Sequence, residues 1–108
     1  MTLGERRSAR RFRMQLPLSI RWADGALSGE ALSVSRDVSS RGLSFLLPKA
    51  ISLGALVEIV MTLPHEITFA GPVRVRCLGR ILRSRAQESS DYQMAAAIDR
   101  YEFLRGEQ

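Results

Sequence analysis

Two groups of polar residues have the types and spacing to hold an anion. The first is the stretch ERRSARRFR, residues 5–13, with five arginines in nine positions. It contains Arg6 followed by the pair Arg7-x-x-x-Arg11. The second is Asp37-x-Ser39-x-x-Gly42, which runs from the end of one extended stretch through a turn into the next. A guanidinium donates two parallel N–H groups, a fork that fits phosphate oxygens or the O6 and N7 edge of guanine. An outward-facing carboxylate at Asp37 can do the converse, accepting the paired N–H donors of guanine's Watson–Crick edge. Ser39 adds a hydroxyl two residues on. Gly42 lets the backbone turn tightly and lets a ligand come close. A small ligand with two guanines and two phosphates would engage every one of these groups. Each motif alone also has an ordinary explanation: a solvated basic tail for the first, an Asx-type turn with a glycine at positive φ for the second.

Composition narrows the choice. A chain of 108 residues with 45% apolar content is one domain with a modest core. The net charge is +5, and fifteen of the sixteen basic residues are arginine, with Lys49 the exception. Lysine would serve solubility equally well, so the bias favours a bidentate anion partner. Cys77 is the single cysteine, which excludes an intrachain disulfide and fits a reducing compartment. The charged start lacks the apolar run of a signal peptide. The most apolar stretch, LLPKAISLGALVEIVM, is interrupted by Pro48, Lys49 and Glu58, so no membrane span is expected. A cytoplasmic location follows as the expectation. Chemistry has little to work with: His65 is the only histidine and sits beside Pro64 in a turn-like LPHEI, and Cys77 alternates with Val73 and Val75 as a core residue would. Neither an enzyme, a metal site nor a cofactor is expected.

The elements that must position these groups read as strands. Leu16, Leu18, Ile20 and Trp22 alternate with polar residues, and Asp24-Gly25 signals a hairpin. The next strand places Leu32, Val34 and Val38 inward and Ser33, Ser35, Asp37 and Ser39 outward. Leu43, Phe45 and Leu47 form a third strand, and Val57, Ile59, Met61 and Leu63 a fourth. A long fifth strand, PVRVRCLGRILRS, loses its phase near Gly79, where a bulge or bend is expected. Tyr92, Met94, Ala96 and Ile98 complete the set. Six strands with short turns predict an all-β fold, an antiparallel barrel or sandwich. After them, Asp99 as a cap with Glu102 three residues on predicts a short C-terminal α-helix over 99–106, docked through Tyr101, Phe103 and Leu104. The domain division expected is a flexible basic segment, 1–13, and a barrel with its helix, 14–108.

In order and placement, ERRSARRFRMQLP followed by DVSSRGLSFLLP resembles the PilZ domain family of cyclic di-GMP receptors. GALVEIVMTLP, GRILRS and YQMAAAI extend the resemblance over essentially the whole chain. It implies a six-stranded antiparallel barrel with a C-terminal helix, and ligand contacts from Arg7, Arg11, Asp37, Ser39 and Gly42. It implies that the arginine segment is mobile when empty and closes over the ligand. Arg6, directly before the pair, implies an intercalated pair of ligands instead of one. Arg83 stands where some members carry a stacking aromatic. Two positions depart from the family pattern: Ala95 and Ile98 replace a glycine and a phenylalanine. The function expected is a non-enzymatic receptor that binds one or two cyclic di-GMP molecules and signals through an unnamed downstream protein. Two alternatives are a protein adaptor of the same fold and a small RNA- or DNA-binding barrel using Arg74, Arg76, Arg80, Arg83 and Arg85. The second is disfavoured by the shortage of exposed stacking aromatics.

Overall fold

The computed structural model describes residues 11–104. Its elements are β1 (Pro17–Asp24), β2 (Leu27–Val38), β3 (Gly42–Leu47), β4 (Leu56–Leu63), α1 (His65–Thr68), β5 (Val73–Ala86) and β6 (Tyr92–Leu104). The strands close into a barrel in the order β1-β2-β3-β6-β5-β4, and every neighbouring pair is antiparallel. Closure removes most of the open edge that six strands would otherwise present. Gly25, at φ 66, provides the positive-φ position that the β1–β2 hairpin needs.

Period-two alternation builds the core. Ile20 faces Ile59 across β1 and β4, and Ile59 faces Cys77 across β4 and β5. Directly opposed residues share a face, so this row points into the barrel, and all three side chains are buried. Phe45, Leu47, Val75, Ile81 and Met94 fill the remainder. Near the expected bend the β5–β6 register shifts between Leu78 and Gly79, where β6 carries the extra residue, Asp99, and again at Leu82 of β5. A Cβ on Gly79 would lie 1.9 Å from the Ala97 carbonyl oxygen, so glycine there lets β5 and β6 come close.

Burial of Cys77 pushes its thiol from the ordinary 9.0 up to about 11. Between those values the folded chain keeps a proton that the unfolded chain has lost. Stability should therefore be intact below about pH 9 and fall as pH rises toward about 11. Cys77→Ala should flatten part of this loss in urea unfolding curves taken across that range. Part should remain, because the Tyr101 phenol is also raised, by burial first and then by the facing Cys77 charge. An unchanged alkaline slope in the variant would contradict the assignment.

Three expectations are corrected. The C-terminal helix over 99–106 is absent over the described residues: Asp99–Leu104 continue β6, and Arg100–Leu104 pair with Arg74–Leu78 of β5. The polar groups read as helix caps are used across strands instead. Arg80 grips Asp99 with two hydrogen bonds, Nε at 3.0 Å and Nη2 at 2.8 Å. Arg76 donates from Nε to Glu102 at 2.7 Å and also from Nη2. The described residues contain one short helix, α1.

The second correction concerns β2. Leu32 is 84% and Val34 46% exposed, whereas Ser35 is 1% exposed. Pairing with Leu18 and Ile20 turns Ser33 and Ala31 inward. A bulge at Arg36, between Ser35 and Asp37, then resets the phase so that Val38 is buried. Buried Ser35 is fully engaged: its hydroxyl accepts from the Leu16 N–H at 2.9 Å and donates to the Met14 carbonyl at 2.6 Å. This clamps the approach to β1 against β2.

Third, Gly42 is not among the positive-φ glycines, which are Gly25, Gly54 and Gly71. Its requirement is close packing: a Cβ would stand 2.5 Å from the Ala96 carbonyl oxygen on β6.

Candidate functional site

Asp37 sits one residue past the β2 bulge, half-buried, with its side chain on the outer face of the barrel. Register then sets its neighbours. Asp37 faces Ser44 on β3, Ser44 faces Ala95 on β6, and Ala95 faces Arg83 on β5. One outward row thus runs from a carboxylate to a guanidinium over three strand spacings, about 14 Å. Between them the floor is small: Ser44, Gly42, Ala95 and Ala97. Arg85 lies two residues beyond Arg83 on the same face, opposite Gln93.

The chain ahead of β1 brings Arg11 to the same place. Phe12 and Val38 exchange backbone hydrogen bonds at 2.8 and 2.9 Å, which lays residue 11 alongside the end of β2. Arg11, Asp37, Ser39, Arg41, Arg83 and Arg85 all border one open concavity of about 640 Å³, within the range of small-molecule sites. A second hollow of about 350 Å³ adjoins it at Asp37 and Gln93 and is walled by Arg13 and Arg36.

The turn residues have a positioning role. The Ser39 hydroxyl accepts from the N–H groups of Arg41 and Gly42, both at 3.2 Å, and donates to the Gly42 carbonyl at 3.1 Å. The Ser39 N–H adds a 2.9 Å bond to that carbonyl. This side-chain-closed turn fixes the angle at which β2 hands over to β3. The Arg41 carbonyl in turn accepts from the Ile98 N–H at 2.9 Å. Ile98 packs partly against the core and does not line the concavity, whereas Ala95 lies at the centre of its floor.

Unpaired cations gather on this face. Elsewhere three arginines are neutralised: a chain of ion pairs runs Glu30–Arg21–Glu58–Arg76–Glu102 across five strands, and Arg80 is paired with Asp99, whereas Arg13, Arg36, Arg74 and Arg100 have no ion-pair partner among the described residues. These hydrogen bonds raise the Arg76 and Arg80 guanidinium pKa values, with Glu102 and Asp99 respectively the main causes, and hold the Asp99 carboxyl below its ordinary value. Around the concavity no carboxylate among the described residues stands within ion-pair distance of Arg11, Arg41, Arg83 or Arg85. Asp37 likewise has no cationic partner there; it accepts one long hydrogen bond, from the Ser44 hydroxyl at 3.3 Å. The face presents four uncompensated guanidiniums and one carboxylate over a small-residue floor.

Of the residues singled out by sequence, the structure brings together Arg11, Asp37, Ser39, Gly42 and Arg83. Arg6 and Arg7 lie outside the described residues. Sequence reasoning missed Arg41, Ser44 and Gln93 as wall and floor, and named Arg85 only for the nucleic-acid-binding alternative. Arg85 carried a usable signal, since it follows Arg83 at the strand period of two.

The PilZ domain family model matches residues 5–102. The chain belongs to the PilZ domain family, whose members are cyclic di-GMP receptor domains with binding and regulatory roles. The structure of the Bacillus subtilis inhibitor of motility (MotI/DgrA) is similar, with a TM-score of 0.68 at 16% identity over 87% of this chain. That match covers 43% of the Bacillus chain, so the present chain spans less than half its length, and at this identity the likeness shows the fold. No curated protein matches the chain.

Proposed function

We propose that the concavity is a cyclic di-GMP site and that the protein is a receptor for this messenger. The observation that carries the proposal is the grouping of four unpaired guanidiniums, those of Arg11, Arg41, Arg83 and Arg85, with the Asp37 carboxylate around one small-residue floor. Asp37 accepts the N–H donors of one guanine's Watson–Crick edge. Arg11 forks onto a phosphate or onto guanine O6 and N7. Arg83, at the far end of the row, lays its guanidinium on a base. Ser39 and Gly42 act by holding the turn and the floor. The sequence motif assigns Arg6 and Arg7 to the same ligand. They reach it from the chain ahead of Arg11, and Arg6 extends the site toward a second, intercalated molecule. Closure of residues 5–13 over the ligand is the relay, altering the surface offered to a downstream protein.

The polyanion-binding alternative fits less well, because Arg76 and Arg80 are committed to Glu58, Glu102 and Asp99. A titration of the isotopically labelled chain with cyclic di-GMP, followed by amide NMR, tests the proposal. Resonances of residues 37–44, 83–85 and 93–97 should move, while those of Glu58 and Arg76 stay fixed. Shifts centred on the ion-paired face would overturn the assignment.

A further inference from the structure

We infer that two copies of this chain join edge to edge through the end of β6. Beyond Ala97, β6 outruns its neighbour: β3 pairs with Tyr92–Ala97, and a single further bond joins Ile98 to Arg41. From Arg100 to Leu104, the strand is paired with β5 on one side alone among the described residues. Its other side is a row of backbone donors and acceptors, which is a template for a further strand. The segment contains none of the prolines that blunt such edges, and its bulged residue, Asp99, stands at its base.

The side chains say which strand fits. Tyr101 and Phe103 face Cys77 and Val75, so they stand on the core side of the sheet. They nevertheless remain 42% and 68% exposed, projecting past the enclosed core. Arg100 and Glu102 alternate with them on the opposite side. An antiparallel partner of the same sequence, centred on Tyr101, sets Arg100 of each copy against Glu102 of the other. The aromatic side chains then gather on one face around the two Tyr101 rings. Arg100 has no ion-pair partner among the described residues. Glu102 accepts from Arg76 of its own chain through one oxygen, Oε1, which leaves Oε2 for Arg100 of the other copy. Pairing of this kind is isologous and closed. The inference is independent of the nucleotide proposal, since it uses none of the residues that border the concavity.

Sedimentation velocity of the full chain over a concentration series should show mass moving from one chain to two. Arg100→Glu, which opposes like charges twice, should raise the dissociation constant about tenfold. Register is read by cross-linking in a Cys77→Ala background. Directly opposed antiparallel residues have Cα atoms about 4.5–5.5 Å apart, within disulfide reach. Mild oxidation should thus link Tyr101→Cys chains into dimers. Leu104→Cys chains should stay unlinked, because six residues of strand, about 20 Å, separate the two thiols. A single-chain mass at every concentration, or cross-linking as efficient at 104 as at 101, would overturn the inference.

Discussion

Arg11→Ala and Asp37→Ala should each lower affinity for cyclic di-GMP by one to two decades while leaving the fold intact. Each removes a charge-assisted contact, worth about 1.5–3 kcal/mol. Neither removes core: Arg11 is exposed, and the Asp37 carboxylate makes one long hydrogen bond to Ser44. Titration calorimetry of the two variants gives the affinities, and thermal melts give the control. Arg76→Ala makes the contrast. It breaks two ion pairs on the far side of the barrel and should leave affinity within a factor of two or so, since exposed pairs contribute about 0–1 kcal/mol. A variant at Arg11 or Asp37 that bound like the parent would remove that residue from the site.

The largest stability effect is expected at Gly79. An alanine there would drive its Cβ to 1.9 Å from the Ala97 carbonyl oxygen and 3.1 Å from the Ile98 Cα. Both obstacles are backbone, so no rotamer relieves them, and β5 must separate from β6 where the barrel bends. Overpacking of this kind costs about 1–3 kcal/mol and sometimes more. For a domain of this size that lowers Tm by roughly 4–8 °C per kcal/mol. A thermal melt of Gly79→Ala matching the parent would show that the two strands are not held this closely.

The strands were legible because each buries one face, and burial of one face writes a period of two into the sequence. Ile20, Phe45, Ile59, Ile81 and Met94 all fall where alternation puts them. On β2 the same logic failed. Arg36 is an extra residue in the strand, and counting back from Val38 across it inverts every side chain before it. The exposed Leu32 and Val34 looked like core, and the buried Ser35 looked like surface. The C-terminus misled for a different reason. Asp99 and Glu102 match a helix cap locally, but their partners, Arg80 and Arg76, are 19 and 26 residues away. A cross-strand pair at that separation leaves no local pattern.

The site was legible in part. Asp37 and Arg11 follow from chemistry and motif spacing together. Gly42 was singled out as a turn residue, yet the close approach it permits is to a neighbouring strand, which only topology supplies. Arg41 and Arg85 become candidates once the fold sets them around the same concavity as Asp37 and Arg83. That placement belongs to the folded chain, because arginines in a list all look alike.

Titration of cyclic di-GMP into the full chain by isothermal calorimetry tests the receptor proposal most directly. The expected result is saturable heat with a Kd in the micromolar range or tighter, about −8 kcal/mol or better. GTP should compete weakly, because one guanine and one phosphate chain cannot engage both ends of the row from Asp37 to Arg83. A chain that melts cooperatively but gives no saturable heat at roughly tens of micromolar would contradict the proposal.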